Sequence, residues 1–434
     1  MEILKASNIL FRLSVLALIV AGVLPGCTSH KTTTMMPAPV IYHNSVIDPF
    51  AHLAATNKST KIRVFYATNR LPEANPDDQQ YGNSIDRQMH LGTATVRMGH
   101  QDMDWDDLYE YSRADKQMPP MPITLEMTTE MAVIPTSFAS GLEQLSPELQ
   151  VFVESINKEI STATDKEIMV YVHGTKVDFA NSAILTAEID HFSGRDYVGV
   201  AFAWPSHQNI LAYLTGIDVK RALDSSEALQ HLLVLLAEHT DAEHINILSY
   251  SAGAKVVSKA LFELRQSFVD LNSEQLIEKF RLGAVVLAAA DVTVDTFLER
   301  LPAISNLANQ VVITVSDNDN ALNAARKYMG GVVRTGSAEA ESMEEEFIVN
   351  KHLSNVEIIN VSKGQEIRGF DITGHHYWYR HPWMSSDIIF LMRTDLPPAR
   401  RGLSPAELEG VWYLAPDYPE KIRGAAKIEL NGEW

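Results

Sequence analysis

Six short runs of apolar and β-branched residues, beginning at Ile168, Val198, Ile245, Ala284, Val311 and Val356, recur along the chain with helix-length segments between them. Each run is nearly continuous in its apolar character, as expected of strands buried on both faces. The segments near Phe179, Asp218, Ala252, Ser273, Ala321 and Ser385 read as the helices. Strand, helix, strand at that spacing demands right-handed crossovers and a mostly parallel sheet covered by helices on both faces. Two earlier runs, Ile62 to Ala67 and Gly92 to Met98, are expected to pair antiparallel. Gly99 to Pro122 is polar, acidic and Met-rich without a clear period, and is expected to form a flap. The C-terminal stretches Pro397 to Leu403 and Trp412 to Tyr418 read as a surface wrap, with Arg400 and Arg401 solvated or paired.

One turn in this framework carries chemistry. Ser249-Tyr250-Ser251-Ala252-Gly253 separates the strand-like His244 to Leu248 from the helical run that starts at Lys255. A serine at the apex of a sharp strand-to-helix turn is held in a strained conformation, so its flanking neighbours must be small. Gly253 meets that demand, and Ser249 stands where a glycine is usual. In this geometry Ser251 Oγ projects above the carboxyl edge of the sheet, and the Ala252 N–H at the helix start faces a developing oxyanion. The plainer alternative is a small-residue turn that opens a core helix.

A nucleophilic serine needs a base, an acid and a second oxyanion donor, each beyond its own strand. The strand from Ile168 ends in His173-Gly174-Thr175, where glycine lets the chain bend so that the Thr175 N–H faces the serine. His173 is expected to brace its own loop. Past Gln310 to Val315 come Asp317 and Asp319; Asp319 is favoured because Ala321-Leu322 can anchor its loop, and Asp317 lies closer to the strand end. Asp291 is a third candidate, with a helix N-cap as its structural alternative. Past Val356 to Val361, Gly374-His375-His376 supplies the base: His375 is the best placed of 15 histidines, with His376 near and His381 distant. Trp204-Pro205-Ser206 lines a pocket mouth or forms a rigid turn. Tyr377, Trp378, Tyr379 and Trp383 serve packing or an apolar acyl pocket.

These pieces together resemble the bacterial α/β-hydrolases labelled DUF900. The resemblance rests on Val64-Phe65-Tyr66-Ala67-Thr68-Asn69-Arg70, Val172-His173-Gly174, and Trp204-Pro205-Ser206 with Tyr213 and Asp218. It also rests on the Ser251 turn, Asp291, Asn318 to Leu322, and Gly374-His375 with Tyr377, and it covers roughly residues 61 to 415. It implies the α/β-hydrolase fold with Ser251, Asp319 and His375 as a catalytic triad. The departures, Ser249 before the elbow and Thr175-Lys176 after His-Gly, bear on substrate preference more than on reaction class.

The N-terminus adds a location. Lys5 and Arg12 precede an apolar run, Leu13 to Val23, too short to span a bilayer. It ends in Leu24-Pro25-Gly26-Cys27, which looks like a lipoprotein signal cleaved before the chain's one cysteine. Residues 1–26 are then a leader, 27–60 a tether, and 61–434 the hydrolase domain with N-terminal strands and a C-terminal extension. Thr28 after Cys27 favours an outer-membrane lipoprotein facing the periplasm; a plain secretory signal is the alternative. One cysteine allows no internal disulfide. The formal charge is −19 and the leader carries a net +1, so the remainder is near −20, which disfavours nucleic acid. No phosphate loop or zincin-type histidine pair is present, and no cofactor or metal is expected. The expected activity is cell-envelope hydrolysis of a small acyl or ester substrate, with an acyltransferase, an amidase, or a non-catalytic lipoprotein of the same fold as alternatives.

Overall fold

The computed structural model describes residues 32–73, 80–116, 118–137, 145–316, 319, 322, 333–337, 353–362, 375–407, 409–431 and 434. Cys27 and the leader, Asp317, Gly374 and the helix expected from Ala321 fall outside these residues.

Among the described residues one sheet of twelve strands dominates. In chain order these are β1 (Thr32–Thr34), β2 (Lys61–Pro72), β3 (Tyr81–Met98), β4 (Pro122–Pro135), β5 (Glu167–Val172) and β6 (Val198–Phe202). They continue with β7 (His244–Tyr250), β8 (Leu282–Ala288), β9 (Ala308–Val315), β10 (Val356–Asn360), β11 (Ser404–Pro405) and β12 (Val411–Tyr413). The order across the sheet is β1-β4-β3-β2-β6-β5-β7-β8-β9-β10-β12-β11. From β2 to β12 every neighbouring pair is parallel, while β1, β4, β3 and β2 pair antiparallel at one edge and β11 pairs antiparallel at the other.

The central strands read as continuous apolar runs because both faces are covered. Ile168, Val170 and Val172 of β5 point into one apolar layer, with Leu149, Phe152, Leu229, Val256 and Phe297 from helices 147–160, 226–239, 253–267 and 294–305. Met169 and Tyr171 point into the other, with Ile184, Phe192, Ile389 and Ile422 from helices 179–192, 382–394 and 418–429. Two-residue alternation along a strand places successive side chains on opposite faces, so a strand between two helix layers must be apolar throughout.

Several expectations need correction. Residues 32–60 are not a tether: β1 pairs with β4, and Ile41, Tyr42, Ile47 and Phe50 are buried. Ile41 donates its N–H to Ser386 Oγ at 3.1 Å, and Met36 donates to the buried Glu188. The segment is built from a three-residue strand and short 3₁₀ turns, which leave no periodic trace. The expected flap contains a helix, Trp105–Ser112, capped by Asp104, whose side chain accepts from the Asp107 N–H. Trp412 is not part of a surface wrap, since β12 extends the sheet beside β10. Arg400 and Arg401 are both paired, as expected, Arg400 at the surface with Glu429, but Arg401 is wholly buried rather than on a surface wrap and donates to Asp387 at 3.0 Å.

Candidate active site

The chain runs from β5 to β6 on one side and then returns to place β7 on the other side of β5. Such a reversal opens a crevice at the carboxyl ends of the strands. Residues 173–175 follow β5 and Ser251 follows β7, so both border it.

Ser251 has φ +52°, a region that costs an L-residue roughly 1–2 kcal/mol. Its backbone is held on both sides: Ser251 N–H donates to Ala288 O at 2.9 Å, and Asp291 N–H donates to Ser251 O at 3.1 Å. The small neighbours have steric causes. A methyl on Gly253 would meet Val172 O at 2.4 Å and His173 O at 2.6 Å, so the helix that begins there reaches the sheet only with glycine. Ser249 faces β8 and donates to Val286 O at 3.3 Å, so the position usually held by glycine accepts a hydroxyl with an internal partner.

The structure brings the favoured base and acid to this serine. His375 Nε2 lies 2.9 Å from Ser251 Oγ, and His375 Nδ1 lies 2.7 Å from Asp319 Oδ2. Asp319 is fully buried, and its other oxygen accepts the Leu322 N–H at 2.9 Å. Two acceptor contacts therefore orient the carboxylate, and Leu322 anchors the loop. Tyr377, two residues further on, is anchored by its hydroxyl, which is 2.7 Å from Thr314 Oγ1 and accepts the Ala289 N–H at 3.1 Å. The Tyr250 ring packs against His375 with centroids 5.0 Å apart.

The competing residues are occupied elsewhere. Asp291 Oδ1 is 3.1 Å from Lys255 Nζ and 3.3 Å from Arg334 Nε, in a fully buried ion cluster. Burial pushes the Asp291 carboxyl up to about 6, with Arg334 and His375 opposing. Burial, reinforced by Arg334 and Arg300, holds the Lys255 ammonium well below the usual lysine range. His376 packs beside His375 and Tyr379, and His381 accepts the Trp383 N–H at the start of helix 382–394. Burial pushes His381 down to about 4.

Gly174 lies directly against the elbow: a methyl there would meet Ser251 Cβ and Tyr250 Cδ1, each at 3.1 Å. Thr175 follows it, and Thr175 Oγ1 donates to the buried Asp218 at 3.3 Å. Neither the Ala252 nor the Thr175 N–H meets an acceptor among the described residues. His173 braces its own loop, with Nδ1 donating to Gly174 O at 2.7 Å. Trp204 is fully buried, stacks on His173 at 5.2 Å and donates to His173 O at 2.7 Å, so it forms part of a rigid turn and lines no mouth.

Among the described residues, Glu167, His244 and Asp395 bring donor atoms within 4.8 Å of one another. They stand near the amino ends of β5 and β7, opposite the edge that holds Ser251. His244 is 3.2 Å from Glu167, whose other oxygen accepts from Asn246 at 2.7 Å, so these two side chains already have partners within the fold.

A mostly parallel sheet between two helix layers, with this strand order, is the α/β-hydrolase fold. The chain belongs to the family described as "Alpha/beta hydrolase of unknown function (DUF900)", whose model matches residues 150–389. That span is shorter than the 61 to 415 expected, and it leaves out Val64 to Arg70. No curated protein matches the chain. Among solved structures it is similar to an acylaminoacyl peptidase of Pyrococcus horikoshii, at 13% identity and TM-score 0.32, over 53% of this chain and 37% of that one. It is also similar to an esterase of Pyrococcus furiosus, at 14% identity and TM-score 0.30, over 53% and 82% of the two chains. An esterase B from Lactobacillus rhamnosis is similar at 12% identity and TM-score 0.28, over 53% and 79%. The chain thus spans little more than a third of the peptidase's length.

Proposed function

We propose that this chain is a serine hydrolase that cleaves carboxylic esters through Ser251, His375 and Asp319. The observation that carries the proposal is the pair of contacts made by one imidazole, 2.9 Å to Ser251 Oγ and 2.7 Å to Asp319 Oδ2. A carboxylate at Nδ1 selects the tautomer that carries its proton there, which leaves the Nε2 lone pair facing the serine hydroxyl. His375 then takes the Oγ proton as Ser251 attacks the ester carbonyl. The Ala252 and Thr175 N–H groups receive the oxyanion. His375 returns the proton to the leaving alkoxide, an acyl-Ser251 remains, and water activated by the same base releases the acid. The αL backbone of Ser251 supports this role, since strain at such a residue is characteristic of functional sites.

Kinetics with short p-nitrophenyl esters test the reaction. Ser251→Ala should abolish turnover, and Ser249→Ala, whose hydroxyl faces β8, should keep most of it. Loss of activity in the second variant with retention in the first would refute the assignment.

We place the enzyme at the bacterial cell envelope as an outer-membrane lipoprotein. This rests on the basic, apolar and Leu-Pro-Gly-Cys27 pattern of the leader. Acyl chains stabilise membrane attachment by about 0.8 kcal/mol per buried CH₂, enough to hold an acidic domain. Detergent partitioning tests it: the wild-type protein should enter the detergent phase and Cys27→Ser should not.

A further inference from the structure

Near the end of β2 an arginine is buried among backbone carbonyls. Arg70 is 1% exposed, and its guanidinium makes four contacts to three separate segments. Nε donates to Ala203 O beyond β6 at 3.2 Å, and Nη1 to Gly82 O on β3 at 2.9 Å. Nη2 donates to Val177 O at 2.7 Å and reaches His173 Nε2 at 3.4 Å. The last contact agrees with the tautomer of His173: its Nδ1 donates to Gly174 O, so Nε2 presents a lone pair. Burial and the Arg70 charge push His173 down to about 3, which keeps the ring neutral. Burial lowers Arg70 only to about 10, with Asp178 and Asp218 opposing, so it remains a cation at neutral pH.

Both residues that Nη2 reaches, His173 and Val177, flank Gly174-Thr175. The same loop is held by Trp204 on His173 O, by Asp218 on Thr175 Oγ1, and by Ser206 Oγ, which accepts the Val177 N–H at 3.2 Å. Arg70 is the member of this set that comes from outside the matched span 150–389. A planar fork with fixed donor directions can tie three backbone segments at set distances, which a lysine cannot.

We propose that Arg70 is a positioning residue for the oxyanion loop, aligning the Thr175 N–H with Ser251, so that the β2–β3 hairpin is part of the catalytic unit rather than an appendage. This rests on the hydrolase function proposed above. Arg70 touches no reacting atom; it acts through His173 and Val177.

The test uses the whole chain with Arg70→Gln and Arg70→Lys. Loss of an oxyanion donor costs about 10²–10³ in kcat, and displacing one should approach about 10². KM for a p-nitrophenyl ester should stay within about threefold, because ground-state contacts are unchanged. Inhibition by an alkyl trifluoromethyl ketone, which forms a tetrahedral oxyanion on the serine, should weaken by the same factor as kcat. The pH limbs of kcat/KM should not move, because the His375–Asp319 pair is untouched; a general loosening of the site would move them. If Arg70→Gln does not fold, Arg70→Lys decides, since it keeps the buried charge and loses only the fork. A folded variant with kcat and ketone inhibition within about threefold of wild type overturns the proposal while Ser251-dependent turnover of the wild type stands. Absence of Ser251-dependent turnover in the wild type overturns the hydrolase function and this inference together.

Discussion

Asp291 Oδ1 stands 3.1 Å from Lys255 Nζ, and that contact removes the carboxylate from competition for His375. Lys255 lies on the first turn of the helix that follows Ser251, and Arg334 Nε stands 3.3 Å from the same carboxylate oxygen. The acid at the end of β8 therefore ties the elbow helix to residues 333–337, while the acid after β9 reaches the base.

The two aspartates should accordingly fail in different ways. Asp319→Asn should lower kcat by up to about 10⁴-fold with little change in folding, as loss of the orienting carboxylate does in serine triads. Asp291→Asn removes the carboxylate that faces the buried Arg334 and Lys255 and should cost roughly 3–5 kcal/mol of stability. Its kcat, measured where the variant is folded, should stay within about tenfold of wild type. Urea melts and turnover numbers on the two variants check this; a stable, inactive Asp291→Asn protein would reverse the roles.

Buried carboxyls in helix 179–192 should contribute a stability that falls with rising pH. Burial raises Glu188 from 4.5 to about 8, with the Met36 N–H and Arg380 opposing. A carboxyl whose pKa is raised on folding stabilises fully below its unfolded value, and that contribution is lost as pH climbs through the folded value. The window runs from about 4.5 to about 8. Glu188→Gln, which can still accept from Met36, should therefore gain on wild type as pH rises across this window, at up to about 1.4 kcal/mol per unit. Asp190, also raised to about 8 by burial, remains in both proteins and drops out of the difference. Denaturant midpoints at pH 5, 6.5 and 8 measure it; a constant difference would show that Glu188 is ionised in the fold.

The N-terminal segment should prove essential to folding. Ile41, Tyr42, Ile47 and Phe50 are each at most 1% exposed, and full burial of one such side chain stabilises by roughly 1.5–3 kcal/mol. Four of them rival the whole stability of a typical domain, about 5–15 kcal/mol. A chain begun at Lys61 should be recovered unfolded or aggregated, and one begun at Lys31 should melt cooperatively. Circular dichroism of the two decides it; equal melting temperatures would mean that residues 32–60 add nothing.

What the sequence disclosed and what it hid divide along a physical line. The six central strands were readable because burial on both faces leaves a continuous apolar signal. β4 leaves little trace because only Ile123, Leu125, Ala132 and Ile134 among its residues are buried apolar positions, while Met127 and Val133 are exposed. The helix at Trp105–Ser112 did carry a usable signal, an Asp104 cap with acids in the first turn, inside a stretch whose composition suggested a loop. Ser251, Asp319 and His375 could be proposed from their positions after β7, β9 and β10, since each follows a recognisable strand. Arg70 and Arg401 could not be placed, because the carbonyls and carboxylates that bury an arginine come from distant segments. The Asp317 alternative and Cys27 lie outside the described residues.

Covalent labelling tests most directly whether Ser251 is an activated nucleophile. A fluorophosphonate should react with the wild-type protein at neutral pH and place one adduct on the peptide that contains Ser251, located by mass spectrometry. Ser251→Ala should not react, and His375→Ala should react far more slowly because the base that withdraws the Oγ proton is gone. Wild-type protein that is folded yet stays unlabelled, or that carries the adduct on another residue, would contradict the central claim.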